Sequence, residues 1–173
     1  MNLQSTDFEL FDVLPRFAQD RAQLDARWKE LQRKVHPDRF AAQGPAAQRQ
    51  AMQWSARINE AYQRLKDPQR RAAYLCELHG APIQAESNTA MPAEFLMQQM
   101  DLREQLDDAA SASDLDQISR ACWSAQRKLL QKIEHQMDAD PDWPAAAQSV
   151  RALMFLDKLA ADIDRRHETL ESN

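Results

Sequence analysis

Apolar residues recur along this chain at helical spacing and almost never in strict alternation. Leu24, Trp28, Leu31 and Val35 follow at steps of four, three and four, which is one narrow stripe on an α-helix. Asp20 stands where an N-cap belongs. The helix is predicted to end at His36, because Pro37 lacks an amide hydrogen and pushes its predecessor out of helical geometry. A short helical segment from Asp7 to Val13 precedes it, with Phe8 and Phe11 on one side and Pro15 beyond its end. After a loop between Asp38 and Pro45, the period resumes through Trp54, Ile58, Ala61 and Leu65, so the two longer helices are expected to form an antiparallel hairpin. Asp67-Pro68 then opens a further helix through Tyr74, Leu75 and Leu78, which stops at Gly80.

The second half begins with a segment that reads as a linker, Ala81 to Pro92, containing Ser87-Asn88-Thr89. Three helices are predicted beyond it, roughly Pro92 to Ala109, Ser113 to Met137 and Trp143 to Leu170, with Asp138-Ala139-Asp140-Pro141-Asp142 as the break before the last. Short connections make these an antiparallel three-helix bundle. The expected organisation is all-α: a first domain over residues 1–80, a linker over 81–91 and a second domain over 92–173.

Composition agrees with this pattern. Val, Ile and Thr together number only eleven, and the two glycines, Gly44 and Gly80, both fall where a periodic segment stops. Charge separates the halves. Residues 1–80 carry 13 Lys+Arg against 10 Asp+Glu, net +3, whereas residues 81–173 carry 9 against 17, net −8. Two surfaces with different partners are expected from such asymmetry, and a pI near 5.4 speaks against nucleic acid. No apolar run approaches the ~18 residues of a membrane span and the first residues have no leader character, so a soluble, cytoplasmic chain is expected. Cys76 and Cys122 lie on different predicted helices and are expected to be buried thiols, not a disulfide.

The candidate chemistry of the first half is His36-Pro37-Asp38, at the end of a helix whose outer face carries Lys29 and Arg33, with Arg27 and Lys34 flanking. Proline fixes the chain direction there, so an imidazole and a carboxylate project at the hairpin tip. With Phe8-Glu9-Leu10-Phe11, Lys34 to Phe40, Ile58-Asn59-Glu60-Ala61-Tyr62, Leu65, Asp67-Pro68, Arg71 and Tyr74, the first 80 residues resemble the J-domain family. The resemblance implies that the tip docks on the ATPase domain of an HscA/DnaK-type chaperone and accelerates its ATP hydrolysis. Lys29, Arg33, Lys34, His36, Pro37, Asp38 and Arg39 would form the chaperone-binding set. The cations would supply steering charge, and Asp38 would pair with a basic group on the partner.

In the second half, a helix laid at 100° per residue from Phe95 places Phe95, Gln99, Leu102 and Leu106 on a core stripe. Leu96, Met97, Met100, Asp101, Glu104 and Asp108 fall on the opposite side, an apolar patch ringed by acids. The blocks Phe95 to Asp107 and Arg151 to Leu159 resemble the C-terminal domain of the HscB family, the J-proteins of bacterial iron–sulfur cluster assembly. That resemblance implies a binding face for the scaffold protein IscU made of Leu96, Met97, Met100, Asp101, Glu104, Asp108 and Phe155. Met100 departs from a leucine in the family pattern, and Asp101 and Asp108 from glutamates, exchanges that keep apolarity and charge. Phe155 lies at the margin of the arc of Leu153, Leu156, Leu159, Ala160 and Ile163, as core edge or contact.

Cys76 and His79 have a spacing that suits a metal, but no second pair accompanies them, and no metal site or cofactor is expected. The chain has no glycine loop for phosphates and no nucleophile elbow. His36 and Asp38 at an exposed tip have no pocket in which to act as acid and base, so a regulator of a partner ATPase is expected and not an enzyme. A helical adaptor with an inert hairpin and a general J-protein for unfolded chains are the rivals. Against the latter, the chain has neither a Gly/Phe-rich stretch nor a cysteine-rich module.

Overall fold

A computed structural model describes residues 2–83 and 91–171, and every regular element among them is helical. The chain divides into two compact units, Met1–Leu75 and Cys76–Asn173. None of the described helices is long and apolar enough to cross a membrane.

The first unit opens with α1 (Asp7–Phe11), whose start is a reciprocal cap: Glu9 N–H donates to Thr6 Oγ1 at 3.2 Å and Thr6 N–H to Glu9 Oε2 at 2.8 Å. Periodicity predicts this helix to Val13, but it stops two residues earlier. Asp12 takes the left-handed conformation (φ 54°), and Val13 N–H returns to the Phe8 carbonyl at 3.0 Å. Asp tolerates that conformation better than most residues, so the stop lies before Pro15 has any influence. In α2 (Arg21–Val35) the Asp20 carboxylate accepts from Ala22 and Gln23 N–H, and Leu24, Leu31 and Val35 are buried as the stripe requires. Trp28 is only half-buried, with its ring stacked 5.0 Å from Tyr62 and its Nε1 donating to Asn59 Oδ1 at 2.8 Å.

The segment expected as a loop is a 3₁₀ helix, Pro37–Gln43, begun by proline at its first position and by Arg39 N–H donating to the His36 carbonyl at 3.0 Å. It ends at Gly44, whose φ of 94° favours glycine, and α3 (Pro45–Lys66) follows. Asp25 meets Tyr62, Trp28 meets Asn59 and Gln32 meets Ser55, so partners on α3 descend as those on α2 rise: an antiparallel hairpin. Then α4 (Pro68–Leu78) starts with the Asp67 carboxylate accepting from Arg70 N–H at 2.9 Å. Beneath α1 lies an ionic lock that periodicity does not reveal. Asp7, fully buried, takes Arg57 at 2.7 Å and Arg64 at 3.0 Å on its two oxygens, and its backbone N–H donates to Tyr74 Oη at 3.0 Å.

In the second unit α5 (Ala93–Asp108), α6 (Ala112–Glu134) and α7 (Trp143–Glu171) enclose an aliphatic core of Leu106, Leu115, Ile118, Leu156, Leu159 and Ile163. At about 1.5–3 kcal/mol for each such side chain removed from water, this stripe is what closes the bundle. α6 starts at Ala112, one residue before the expected Ser113, with Ser111 as its N-cap: Asp114 N–H donates to the Ser111 Oγ at 3.2 Å, while the Asp114 carboxylate accepts Ser111 N–H at 3.0 Å. Past Glu134 the chain widens into a π turn, His135–Ala139, where spacing predicts a helix as far as Met137. The residues after α4 belong to this unit. Ala81 N–H caps back onto the Cys76 carbonyl at 2.8 Å, His79 stacks on Trp143 at 3.7 Å, and Arg151 Nε donates to the Ile83 carbonyl at 2.8 Å. Of the linker expected from Ala81, residues 84–90 lie outside the described residues.

Candidate functional site

Two exposed surfaces hold the residues singled out by sequence. The first is the hairpin tip. The side chains of His36 and Asp38 are 58% and 90% exposed and lie 3.6 Å apart, with the Asp38 N–H donating to His36 Nδ1 at 3.3 Å; Pro37 between them is half-buried. The tripeptide is therefore held as one turn, with the Asp38 carboxylate left pointing into solvent. Arg39 Nη1 donates to the Arg33 carbonyl at 3.1 Å, closing the open C-terminus of α2 and tying the 3₁₀ turn to it.

Of the cations behind the tip, Lys29 and Arg33 are exposed and make no salt bridge among the described residues. Lys34 is engaged. Its Nζ lies 2.6 Å from Glu30 Oε1, and Arg27 Nη1 holds Glu30 Oε2 at 2.8 Å. The hydrogen bond from Lys34 and then that from Arg27 pull the Glu30 carboxyl down from 4.5 to about 2, so it stays an anion between two cations. The free charge at the tip comes from Lys29 and Arg33 more than from Lys34, a refinement sequence spacing alone does not give.

The second surface is the outer side of α5. Leu96, Met97 and Met100 are 43%, 66% and 70% exposed, and Asp101, Glu104 and Asp108 beside them are exposed as well. One helix thus brings six of the seven expected scaffold contacts together as an acidic ridge with a soft apolar crest. Its opposite side seats only Gln99 and Leu106 deeply, while Phe95 and Leu102, expected as full core, are half-buried. Phe155, on α7, is half-buried too. It meets Phe95 edge-on at 6.1 Å, and the Arg103 guanidinium lies 5.0 Å from its ring centre. Sequence reasoning passed over Arg103, which packs on the ring expected to make contact. Its place within the Phe95 to Asp107 block was the available signal.

Along another side of α5 runs a groove of about 590 Å³ against α6, lined by Phe95, Gln99, Leu102, Lys128, Leu129 and Lys132 among others. Residues 9–74 match the family model of the DnaJ domain, and residues 91–164 match that of the HSCB C-terminal oligomerisation domain. Against the "Co-chaperone protein HscB homolog" of Burkholderia multivorans, identity is 45% over 175 residues, covering 99% of either chain. The chain belongs to the HscB co-chaperone family. Among solved structures, the chaperone HscB from Vibrio cholerae matches with a TM-score of 0.83 at 36% identity, covering 96% of this chain and 99% of that one. Human co-chaperone HscB matches with a TM-score of 0.91 at 25% identity, covering 96% and 84%. HscB-family membership accounts for both halves at once, since a J-domain and an HscB C-terminal domain follow one another in a single chain.

Proposed function

We propose that this co-chaperone stimulates the ATPase of an HscA/DnaK-type chaperone through His36-Pro37-Asp38 and the cations Lys29, Arg33, Lys34 and Arg39. In the same reading it delivers the iron–sulfur scaffold IscU, gripped by Leu96, Met97, Met100, Asp101, Glu104, Asp108 and Phe155, for cluster assembly or transfer in the cytoplasm. The supporting observation is the exposure of the methionine crest. Three large apolar side chains ringed by carboxylates stand in solvent on a helix whose other side is seated in the bundle. At the tip, a solvent-directed carboxylate on the same hairpin as Lys29 and Arg33, which make no salt bridge among the described residues, suits docking on a charged partner, where it would exchange water for a charge-assisted hydrogen bond. The chain itself carries out no bond chemistry in this reading. It presents one protein to another that hydrolyses ATP.

Steady-state ATPase measurements on an HscA-type chaperone, with and without IscU, test both parts. His36→Gln is expected to abolish stimulation and to leave IscU binding intact. Unchanged stimulation would reject the reading and favour an adaptor whose hairpin is only scaffold. Stronger binding of an unfolded peptide than of folded IscU would favour a general J-protein instead.

A further inference from the structure

The acidic second unit contains one basic helix. Between Gln117 and Ile133, α6 carries Arg120, Arg127, Lys128 and Lys132 and no acidic residue, within a half of net charge −8. All four cations are exposed, and none makes a salt bridge among the described residues. Trp123, 59% exposed, stands among them with the Arg127 guanidinium 4.8 Å from its ring centre. Lys128 and Lys132 also rim the groove of about 590 Å³ between α5 and α6, two cations against the single carboxylate of Asp101 on its α5 side, over a floor that includes Phe95, Leu102 and Leu129. In that groove Gln99, 3% exposed, has an Oε1 that finds no hydrogen-bond donor among the described residues. A buried amide oxygen without a donor is rare and costly, and it marks the place where an incoming N–H or O–H gains most.

We infer that the α5–α6 groove and the basic face of α6 dock an acidic amphipathic segment of a partner protein. Its apolar side chains would lie on Phe95, Leu102 and Leu129, its carboxylates would meet Lys128 and Lys132, and a donor from it would satisfy Gln99. Charge complementarity selects the occupant. The cations occupy one short helix face in an otherwise negative unit, so a segment with few, local carboxylates is attracted there. The evenly charged backbone of a nucleic acid would be repelled by the acids around it. The groove shares Asp101 with the proposed scaffold-binding set, but the proposal uses neither the exposed methionines nor the hairpin tip.

The test uses the full chain and a fluorescein-labelled sixteen-residue Leu/Glu amphipathic peptide, with its Leu/Lys counterpart and a single-stranded oligonucleotide as controls, read by anisotropy. One-to-one binding of the Glu peptide is expected. The double variant K128E/K132E should weaken it at least tenfold, and Gln99→Leu a few-fold with helical content unchanged. Met97→Ser with Met100→Ser, which adds no charge, should leave peptide binding as it was. Equal binding by K128E/K132E overturns the proposal, as does loss of binding in the methionine variant, which would move the peptide to the ridge. Tighter binding of the oligonucleotide would make the face a nucleic-acid site. Displacement of the peptide at high protein concentration, with dimers in sedimentation, would make the occupant a second copy. Either result also rejects the proposal.

Discussion

The helix that carries the hairpin tip and the helix that carries the methionine ridge are anchored in contrasting ways. α2 is held along its length by Leu24, Leu31 and Val35 in the core, by Trp28 and Gln32 bonded to Asn59, and by Arg27 donating to the Phe11 carbonyl. α5 sinks only Gln99 and Leu106 deeply and leaves its larger apolar side chains half or fully exposed. Recognition by direction of charge needs a stiff mount, because misplacing a carboxylate by an ångström forfeits its partner. Recognition by a flexible thioether crest tolerates a softer one, because methionine refits itself to the opposing surface. On the proposed roles, the firmer seating of α2 suits the tip and the shallower seating of α5 suits the ridge.

The stiff side should break most severely when its lock is removed. Asp7→Ala leaves Arg57 and Arg64 without their buried anion, and a loss of about 3–5 kcal/mol is expected. Urea denaturation followed by tryptophan fluorescence would measure it; a midpoint shift worth under about 1 kcal/mol would mean that the aromatic packing alone holds α1. The pliant side should break without unfolding. Met97→Glu with Met100→Glu is expected to weaken scaffold binding by about 2–3 kcal/mol, roughly 30- to 150-fold in Kd by calorimetry, with circular dichroism unchanged. Smaller still, Lys29→Ala with Arg33→Ala should slow chaperone association several-fold at low salt. The deficit should fade in stopped-flow traces as ionic strength rises past roughly 0.5 M.

The gentlest probe is acid. Glu30 has its carboxyl held down at about 2, so its links to Lys34 and Arg27 are fully present above 4.5 and are lost only as pH falls through about 2. A carboxyl ¹³C titration should show a midpoint near the lower value. A midpoint near 4.5 would show the pairs to be absent in solution.

Much of this was legible from spacing. The α2 stripe, the hairpin, the three later helices and the two-sided character of α5 all follow from which apolar positions share a face, a local property. What escaped spacing is what depends on distant partners or on single caps. Asp7 reads as an ordinary helix-start acid, yet it meets arginines 50 and 57 residues away in sequence. α6 starts a residue early because Asp114 answers the Ser111 cap three residues on, and α1 ends early because Asp12 adopts a left-handed turn. Lys34 looks like steering charge in a helical projection and is half-spent on Glu30 in space. The family resemblance suggests roles for the tip and ridge, whereas Arg103 over Phe155 is a contact between α5 and α7 that spacing does not specify.

Both cysteines are free and buried. Burial pushes the Cys76 thiol up to about 11, and Cys122 also stands above its ordinary value, with its S–H toward the Leu156 carbonyl. Thiolate is the form that ligates metals and exchanges disulfides, and at neutral pH neither group supplies it. On the proposed reading, in which an iron–sulfur scaffold is the cargo, neither thiol would compete with that scaffold for its iron.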